Sequence, residues 1–524
     1  MIFRGPYQEV TIPEVSLTDF VLQRARDFAD KPALIDGPSG RTLTYNELFD
    51  AIHRVAAGLD ARGFKKGEVF GILSYNVPEY AVIFHAVAML GGINTTINPL
   101  YTEHEVEEQL KDSGARFLIT VPPFLEKARA AATAANIEEL FVIGEGEGAT
   151  PFSSLYAGAG QAPQVDIDPK NDIVALPYSS GTTGIPKGVM LTHYNLVANL
   201  RQMEGLSYCT RNDTLICVLP LFHIYGLVVI LNLGLQKGAT IVTMPRFDLE
   251  QFLETAGKYK VTLAPLVPPI VLALSKHPLV DNYELPHLKM IFSGAAPLDE
   301  NLTRACMQRL GCQLRQGYGM TETSPVTHSS PANTDTIKFG SVGTCAPNTK
   351  CKIVDLTTGQ SLGPNREGEI CVRGPQVMKG YLNRPDATAA TIDAEGWLHT
   401  GDIGYADSDG HFYIVDRAKE LIKYKGFQVP PAELEAVLLT HPAIADAAVI
   451  PVPDPEAGEA PKAYVVLRHE ESPEKIMEFV AERVAPHKKI RSVEFTDKIP
   501  RSPSGKILRR LLVQAERERR KNVT

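Results

Sequence analysis

What the chain does without narrows its role before any motif is read. It holds 7 cysteines, an odd number, and no Cys-x-x-Cys pair. That argues against a disulfide framework or a zinc site and for reduced thiols in a cytoplasm. It has no surplus of basic charge: 53 Lys and Arg against 61 Asp and Glu give a net charge of −8. A general nucleic-acid binder is excluded, and any basic patch is local. Long hydrophobic runs are missing too. The longest, residues 81–93, contains His85 and is too short to cross a bilayer, so no membrane span is expected. Residues 1–30 lack an apolar core, and the last four residues, Lys521-Asn522-Val523-Thr524, form no peroxisomal signal, so the expectation is a cytoplasmic protein. Two familiar phosphate loops, GxGxxG and the P-loop, are absent.

What is present is ordinary globular material in quantity. The chain has 524 residues, 44% of them hydrophobic, and a mean hydropathy of −0.08. That length predicts about two to four domains. Over residues 1–170, helical and strand patterns alternate. Thr44-Tyr45-Asn46-Glu47 predicts a capping box opening a helix to residue 59. Residues 69–73 and 116–120 read as strands and 82–90 as a helix. Such alternation predicts an α/β fold with a largely parallel sheet, and it resumes over 171–345. Residues 346–415 turn to short strands, a smaller β-rich subdomain. A charged run, Asp416-Arg417-Ala418-Lys419, marks a boundary, and 420–524 read as a small α+β domain.

Chemistry concentrates in a few stretches. Tyr178-Ser179-Ser180-Gly181-Thr182-Thr183-Gly184-Ile185-Pro186-Lys187-Gly188 follows an apolar run and precedes Thr192, a helix N-cap. The expected order is strand, loop, helix. Glycines let backbone N–H groups turn toward one point, and four hydroxyls and an ammonium add donors there. Such a loop cradles a polyanion, most simply a triphosphate. Leu219-Pro220-Leu221-Phe222-His223-Ile224-Tyr225-Gly226 ends a strand in a loop with a single histidine. Ser293-Gly294-Ala295-Ala296-Pro297 offers small residues that let a flat ring approach the backbone. In Gln316-Gly317-Tyr318-Gly319-Met320-Thr321-Glu322-Thr323 an aromatic can stack on a base, a hydroxyl can bond a phosphate oxygen and a carboxylate can hold Mg²⁺. Asp402, after Gly401, suits the two hydroxyls of a ribose. Lys506 follows Ser504-Gly505 on a loop before a basic last helix.

Taken together and in order, these segments resemble the adenylate-forming superfamily, and 222–226 with 368–374 are most similar to 4-coumarate–CoA ligases and their bacterial relatives. The second segment usually has Ile where Val372 stands. The resemblance implies a large N-terminal domain over 1–415 of two α/β subdomains and a β-rich one, a hinge over 416–419 and a mobile α+β domain over 420–524. It implies ATP, Mg²⁺ and coenzyme A as cofactor and co-substrates, and a small carboxylic acid activated as an acyl-adenylate. For ATP or AMP it implicates Ser179, Ser180, Gly181, Thr182, Thr183, Gly184, Lys187, Ala295, Gln316, Gly317, Tyr318, Thr321, Asp402 and Arg417, with Glu322 on the metal. Lys506, Lys423, Gln428 and His223 are implied as catalytic, Arg246, Lys425 and Gly426 for coenzyme A, and Lys419 as the hinge. The acid pocket would be Ile224, Tyr225, Val228, Phe292, Gly294, Pro325 and Val326. Plant 4-coumarate–CoA ligases often carry Lys at position 292, so Phe292 leaves fatty acids open beside hydroxycinnamates. Loading of a carrier protein is a third reading, disfavoured by the lack of a pocket Asp. A monomer or homodimer is expected.

Overall fold

The structure is a computed structural model and describes all residues except 158–160, 180–185, 418–419, 425–426, 455–456, 485, 503–504 and 524. The chain folds into two compact units. One comprises Arg4–Lys350 with Val372–Leu398; the other comprises Met1–Phe3, Cys351–Cys371 and His399–Thr524.

The larger unit is built on two nine-stranded sheets, counted over the described residues. In the first, Ile93–Thr96, Val69–Leu73, Ala115–Thr120 and Glu139–Val142 run parallel. All five residues of Val69–Leu73 are buried, as a strand covered on both faces requires. The helix Tyr45–Ala61 starts at Thr44, whose hydroxyl accepts the Glu47 N–H while the Glu47 carboxylate accepts the Thr44 N–H. The capping box is thus where the sequence puts it. The helix Pro78–Met89 is apolar nearly all round and buried nearly all round. In the second sheet, Gln313–Gly319, Met290–Ser293, Leu263–Leu266, Thr214–Cys217 and Thr240–Thr243 are successive parallel neighbours. Parallel strands end on one edge, so 219–226, 293–297 and 316–323 emerge along that edge.

The segment after the phosphate loop departs from expectation. A strand, Lys187–Thr192, stands between the loop and the helix His193–Gly205. It pairs antiparallel with Tyr178–Ser179 before it and with Ile173–Ala175 beyond. The order is strand, loop, strand, helix. The reason lies in Val189 and Leu191, which need an apolar face and find one in the sheet, both fully buried. The helix then opens on Thr192 as expected, with Asn195 closing the box.

The smaller unit holds two five-stranded sheets among its described residues. Lys350–Val354, Gly368–Arg373, Leu398–Ala406 and Phe412–Arg417 are neighbours in one. In the other, Gly458–Leu467 lies between Ile444–Asp454 and Ile422–Tyr424, and Ser492–Phe495 pairs with it in parallel. Helices Pro431–Leu439 and Pro473–Ala481 pack on a core of Ile444, Val449, Val465 and Ile476.

One side chain pins the two large sheets at their common edge. Asn76 is 2% exposed. Its amide donates to the carbonyls of Cys217 (3.0 Å) and Leu219 (2.9 Å), and its oxygen accepts the Leu221 N–H at 2.8 Å. Three backbone groups, one at the end of the strand Thr214–Cys217 and two in the loop leading to His223, rest on this residue. Asn76→Ala orphans all three, which costs about 1–3 kcal/mol for a buried group left unsatisfied. The expected result is a lower unfolding midpoint in a thermal scan. Asn76→Asp, which keeps the shape but loses the amide donor, is expected to be no better.

Candidate active site

Four side chains of the larger unit converge beside the phosphate loop. Glu322 is buried, 5% exposed. Its Oε1 accepts the Ser179 hydroxyl and the Tyr381 hydroxyl, each at 2.9 Å. Among the described residues both donors fall on Oε1, which leaves Oε2 to a hard cation; an oxygen ligand held this way suits Mg²⁺. Lys187 sits with its ammonium 5.0 Å from the centre of the Tyr381 ring. The strands place these groups. Ser179 pairs with Lys187 across the loop, and Gly380–Tyr381 pairs with the far side of the same strand, Val189 opposite Tyr381. Burial, and then Glu322 beside it, pushes the Tyr381 phenol up, so it remains a donor. Ser180, Gly181, Thr182, Thr183 and Gly184 lie outside the described residues.

Two strand ends lie side by side next to this cluster, since Ser293 pairs with Gln316. Ala295 has φ +71°, a left-handed conformation that costs an L-residue roughly 1–2 kcal/mol. Strain of this kind persists where the surroundings impose it. Gln316 is buried and spends its amide on the backbone of Leu298, accepting its N–H at 3.3 Å and donating to its carbonyl at 3.1 Å. Its side chain therefore fixes the 293–297 turn. Gly317 is required: a Cβ there would lie 2.5 Å from the Phe292 ring. Tyr318 is half-buried, its ring 5.6 Å from that of His328. Thr321 opens a short 3₁₀ turn, Thr321–Thr323, and is half-buried.

The apolar residues that the resemblance assigns to an acid pocket come from three elements. Ile224, Tyr225, Val228, Phe292 and Val326 are all buried. Residues Tyr225–Asn232 are wound as a π-helix, which sequence periodicity does not reveal. The widened turn is accommodated by Asn232, whose amide donates to the Leu227 carbonyl at 2.7 Å. Gly226 lets that helix start against the loop: a Cβ there would meet the Pro220 carbonyl oxygen at 2.3 Å. Tyr225 donates its hydroxyl to the Phe292 carbonyl at 2.8 Å, and Gly294 lies against the same ring. Tyr208 packs edge-on to Phe292 at 4.6 Å, a wall that no motif announced. Pro325 and Val326 follow the turn, and Asn199 holds Val326 by both its N–H and its carbonyl. His223 accepts the Tyr225 N–H on Nδ1 at 3.2 Å, which leaves its neutral tautomer with the proton on Nε2. Arg246 is exposed between the strand Thr240–Thr243 and the helix Leu249–Lys258.

In the smaller unit, Asp402 and Arg417 face each other across paired strands, guanidinium to carboxylate at 3.1 Å. Asp402 is buried and its N–H is held by the Thr400 hydroxyl at 3.1 Å. Lys423 is exposed on the strand Ile422–Tyr424, in register with Gln428. Lys506 is half-buried in a tight turn. Its N–H donates to the Ser502 hydroxyl at 3.1 Å and its carbonyl accepts the Ser502 N–H at 2.8 Å. Arg501 locks that turn, bonding Gly505 at 2.9 Å and Asp446 at 2.7 Å. Lys419, Lys425 and Gly426 lie outside the described residues. Near the Lys506 turn, Arg509 pairs with Glu435 at 2.6 Å and with Glu420. Asp416 lies by the same cluster, accepting the N–H groups of Arg417 and Ala432.

Comparison with known proteins adds three findings. The family profile described as AMP-binding enzyme matches residues 21–382, and that described as AMP-binding enzyme C-terminal domain matches 433–506. The chain is 46% identical over 521 residues to 4-coumarate–CoA ligase 3 of Oryza sativa subsp. japonica, covering 97% of this chain and 94% of that one. It is 47% identical over 525 residues to the 4-coumarate–CoA ligase of Pinus taeda, covering 97% and 96%. Among solved structures, an anthranilate CoA ligase in complex with anthranoyl-AMP superposes with a TM-score of 0.89 at 28% identity, covering 98% and 99%.

The Arg509 cluster makes a pH prediction. Burial pushes Glu435 up to about 7, against the pull of Arg509, and Asp416 up to about 6. A carboxyl whose pKa is raised on folding favours the folded state while it keeps its proton. That contribution is complete below the ordinary carboxylate range and is lost as pH rises through about 6 and then about 7. Denaturant unfolding at pH 5 and pH 8 is expected to show the wild type losing more stability than Glu435→Gln over that interval. Equal losses would mean Glu435 does not titrate there.

Proposed function

The chain belongs to the AMP-binding enzyme family, and from that membership we propose that it joins a carboxylic acid to coenzyme A through an acyl-adenylate, at the cost of ATP. The single observation that carries this reading is near full-length similarity to 4-coumarate–CoA ligases at 46–47% identity. The acid is a hydroxycinnamate or a similar aryl acid. An aromatic wall of Phe292, Tyr225 and Tyr208, with rings edge to face, suits a flat aromatic acid. No helix among the described residues is long and apolar enough to cross a membrane. The seven cysteines are all buried without disulfides, which supports a reducing, cytoplasmic setting.

The chemistry explains the residues. A carboxylate is a poor acyl donor because oxide is a poor leaving group. Attack on the α-phosphorus of ATP expels pyrophosphate and installs AMP, a good leaving group. A thiol then attacks the acyl carbon and AMP departs. The first step brings two anions together, so fixed positive charge and aligned donors must be in place beforehand. Ser179 and Lys187, with the loop between them, grip the β- and γ-phosphates. Thr321 bonds the α-phosphate, and Lys506 serves adenylation by neutralising that phosphate and the carboxylate. Ala295, Gln316, Gly317 and Tyr318 frame the adenine; Asp402 and Arg417 hold the ribose. Glu322 would hold Mg²⁺, which when bound would neutralise phosphate charge. Lys423, Lys425, Gly426 and Gln428 serve the thioester step, His223 borders it, and Arg246 takes a coenzyme A phosphate. Residues 416–419, with Lys419 at the pivot, form a hinge that lets 420–524 present Lys506 for one half-reaction and Lys423 for the other.

The expected products are AMP and pyrophosphate, because the loop grips the outer phosphates while Lys506 addresses the inner one. A panel of aryl, alkyl and amino acids, read as pyrophosphate release and thioester formation, checks both product and substrate. Hydroxycinnamates should lead in kcat/KM. Stoichiometric ADP, or a preference for acetate or an amino acid, would remove the proposal. A lead by medium-chain fatty acids would keep the reaction and replace the substrate class.

Lys506→Ala should slow adenylate formation by roughly 10²–10³, the usual loss for one electrostatic contact made in a transition state. It should still convert a supplied acyl-adenylate to the thioester at nearly the normal rate. Measuring each half-reaction alone tests this, and equal losses in both halves would show Lys506 to be structural.

A further inference from the structure

Cys371 and His399 lie 28 residues apart, too far for any spacing rule to join them. Strand geometry joins them. Glu369 and Cys371 are two residues apart on the strand Gly368–Arg373, so their side chains share a face. His399 stands on the strand Leu398–Ala406, next to it in the sheet. The result is a carboxylate, a thiol and an imidazole with ligand atoms all within 4.8 Å of one another.

The carboxylate and the thiol crowd one imidazole nitrogen, and another partner of the thiol, the Glu369 carbonyl oxygen, is distant at 4.0 Å. Nδ1 of His399 lies 2.7 Å from Glu369 Oε2 and 3.5 Å from Cys371 Sγ. A ring nitrogen has a single in-plane lone pair or a single N–H. It cannot donate to the carboxylate and accept from the thiol at once. A cation among the three atoms would meet all of them with one charge. The spacing suits one: Zn–S of about 2.3 Å and Zn–N of about 2.05 Å at a tetrahedral angle put S and N about 3.6 Å apart. The carboxylate oxygen would need to move away from Nδ1 by only about 0.7 Å to reach its own tetrahedral position. Glu369 is anchored for the part, since Oε1 accepts the Gly401 N–H at 3.0 Å. Cys371 is fully buried, whereas the His399 side chain is 32% exposed, which gives an ion a way in and leaves a fourth position to water.

We propose that Glu369, Cys371 and His399 bind a thiophilic divalent cation, Zn²⁺ fitting best, in a site separate from the Glu322 cluster. Thiolate, imidazole and carboxylate together select zinc over magnesium. Binding forms Zn–S, Zn–N and Zn–O bonds. It releases the Cys371 thiol proton to solvent and moves the Nδ1 proton of a neutral His399 to Nε2, with no change of oxidation state. The cysteine count alone had argued against any zinc site; sheet pairing supplies what sequence spacing could not.

Co²⁺ is the probe, because thiolate ligation gives it an intense charge-transfer absorption that oxygen ligands do not. The full chain, stripped with chelator and held in excess Mg²⁺ to fill hard oxygen sites, is titrated with Co²⁺ and then Zn²⁺. One equivalent of Co²⁺ should develop the thiolate band, and Zn²⁺ should abolish it. The band should be missing from Cys371→Ser. Binding should weaken by at least about tenfold in His399→Gln, a loss seen even for residues behind a ligand. It should persist in Cys306→Ser, a buried cysteine of the larger unit. No thiolate band in the wild type overturns the proposal whatever the variants do. So does a band that survives in folded Cys371→Ser, its fold checked by its unfolding midpoint.

Discussion

A carboxylate that has left water must be given hydrogen bonds, and much of the larger unit answers to that demand at Glu322. The two hydroxyls that satisfy it come from positions far apart in sequence, Ser179 and Tyr381. Without them the cost of burying the charge would run to several kcal/mol. Each donor depends on a strand pairing. Ser179 is placed by its pairing with Lys187, and Tyr381 by its pairing with Val189. The Met378 N–H closes the circuit on the Glu322 carbonyl at 2.9 Å. A single acidic residue thus ties together the strand Tyr178–Ser179, the turn that carries the acid itself and an edge strand from near residue 380. The Glu322 carboxylate is thereby held in one orientation before any ligand arrives.

Local chemistry was legible in the sequence, and non-local pairing was not. The capping box at Thr44 and the N-cap at Thr192 could be read because a cap is settled within four residues. Strands 69–73 and 116–120 could be read because apolar runs bounded by turns admit few alternatives. The Asp402–Arg417 pair was legible only through family resemblance, and the sheet supplies its reason, since the two are register partners. Tyr381 was missed. Nothing around Gly380-Tyr381 marks it, and its role exists only once the edge strand has docked. The strand Lys187–Thr192 was missed because attention to the loop hid the alternation of Val189 and Leu191. The π-helix at Tyr225 was missed because its apolar sequence fits any buried helix. Asn76 shows the same limit: one asparagine in a loop, decisive only because it meets Cys217, Leu219 and Leu221.

The smaller unit uses charge differently. Around Arg509, Glu420 and Glu435 pair directly while Asp416 lies close by, so carboxylates outnumber the guanidinium. Such an excess is tolerable in a dry site only if a proton is shared among the acids, and burial raises both Glu435 and Asp416 in that direction. The cluster connects residues beside the 416–419 segment to the helix that follows Lys506. Asp416, Glu420, Glu435 and Arg509, spread over 416–509, are thereby parts of one electrostatic cluster.

The hydroxyl of Tyr225 has a consequence for discrimination. It lies beside the aromatic wall and, unlike the Tyr208 hydroxyl, which is buried without a partner among the described residues, is already committed to the Phe292 carbonyl. A ring substituent that reaches it finds an oxygen whose proton points elsewhere. Discrimination through Tyr225 would then rest on shape rather than on a hydrogen bond that one substrate makes and another cannot. Shape alone separates neighbours weakly, about 1–3 kcal/mol per methylene, and it scarcely rejects an isostere that adds a hydroxyl. Enzymes built this way process whichever congener the cell supplies, so the choice among closely related acids passes from the ligase to the reactions that make them.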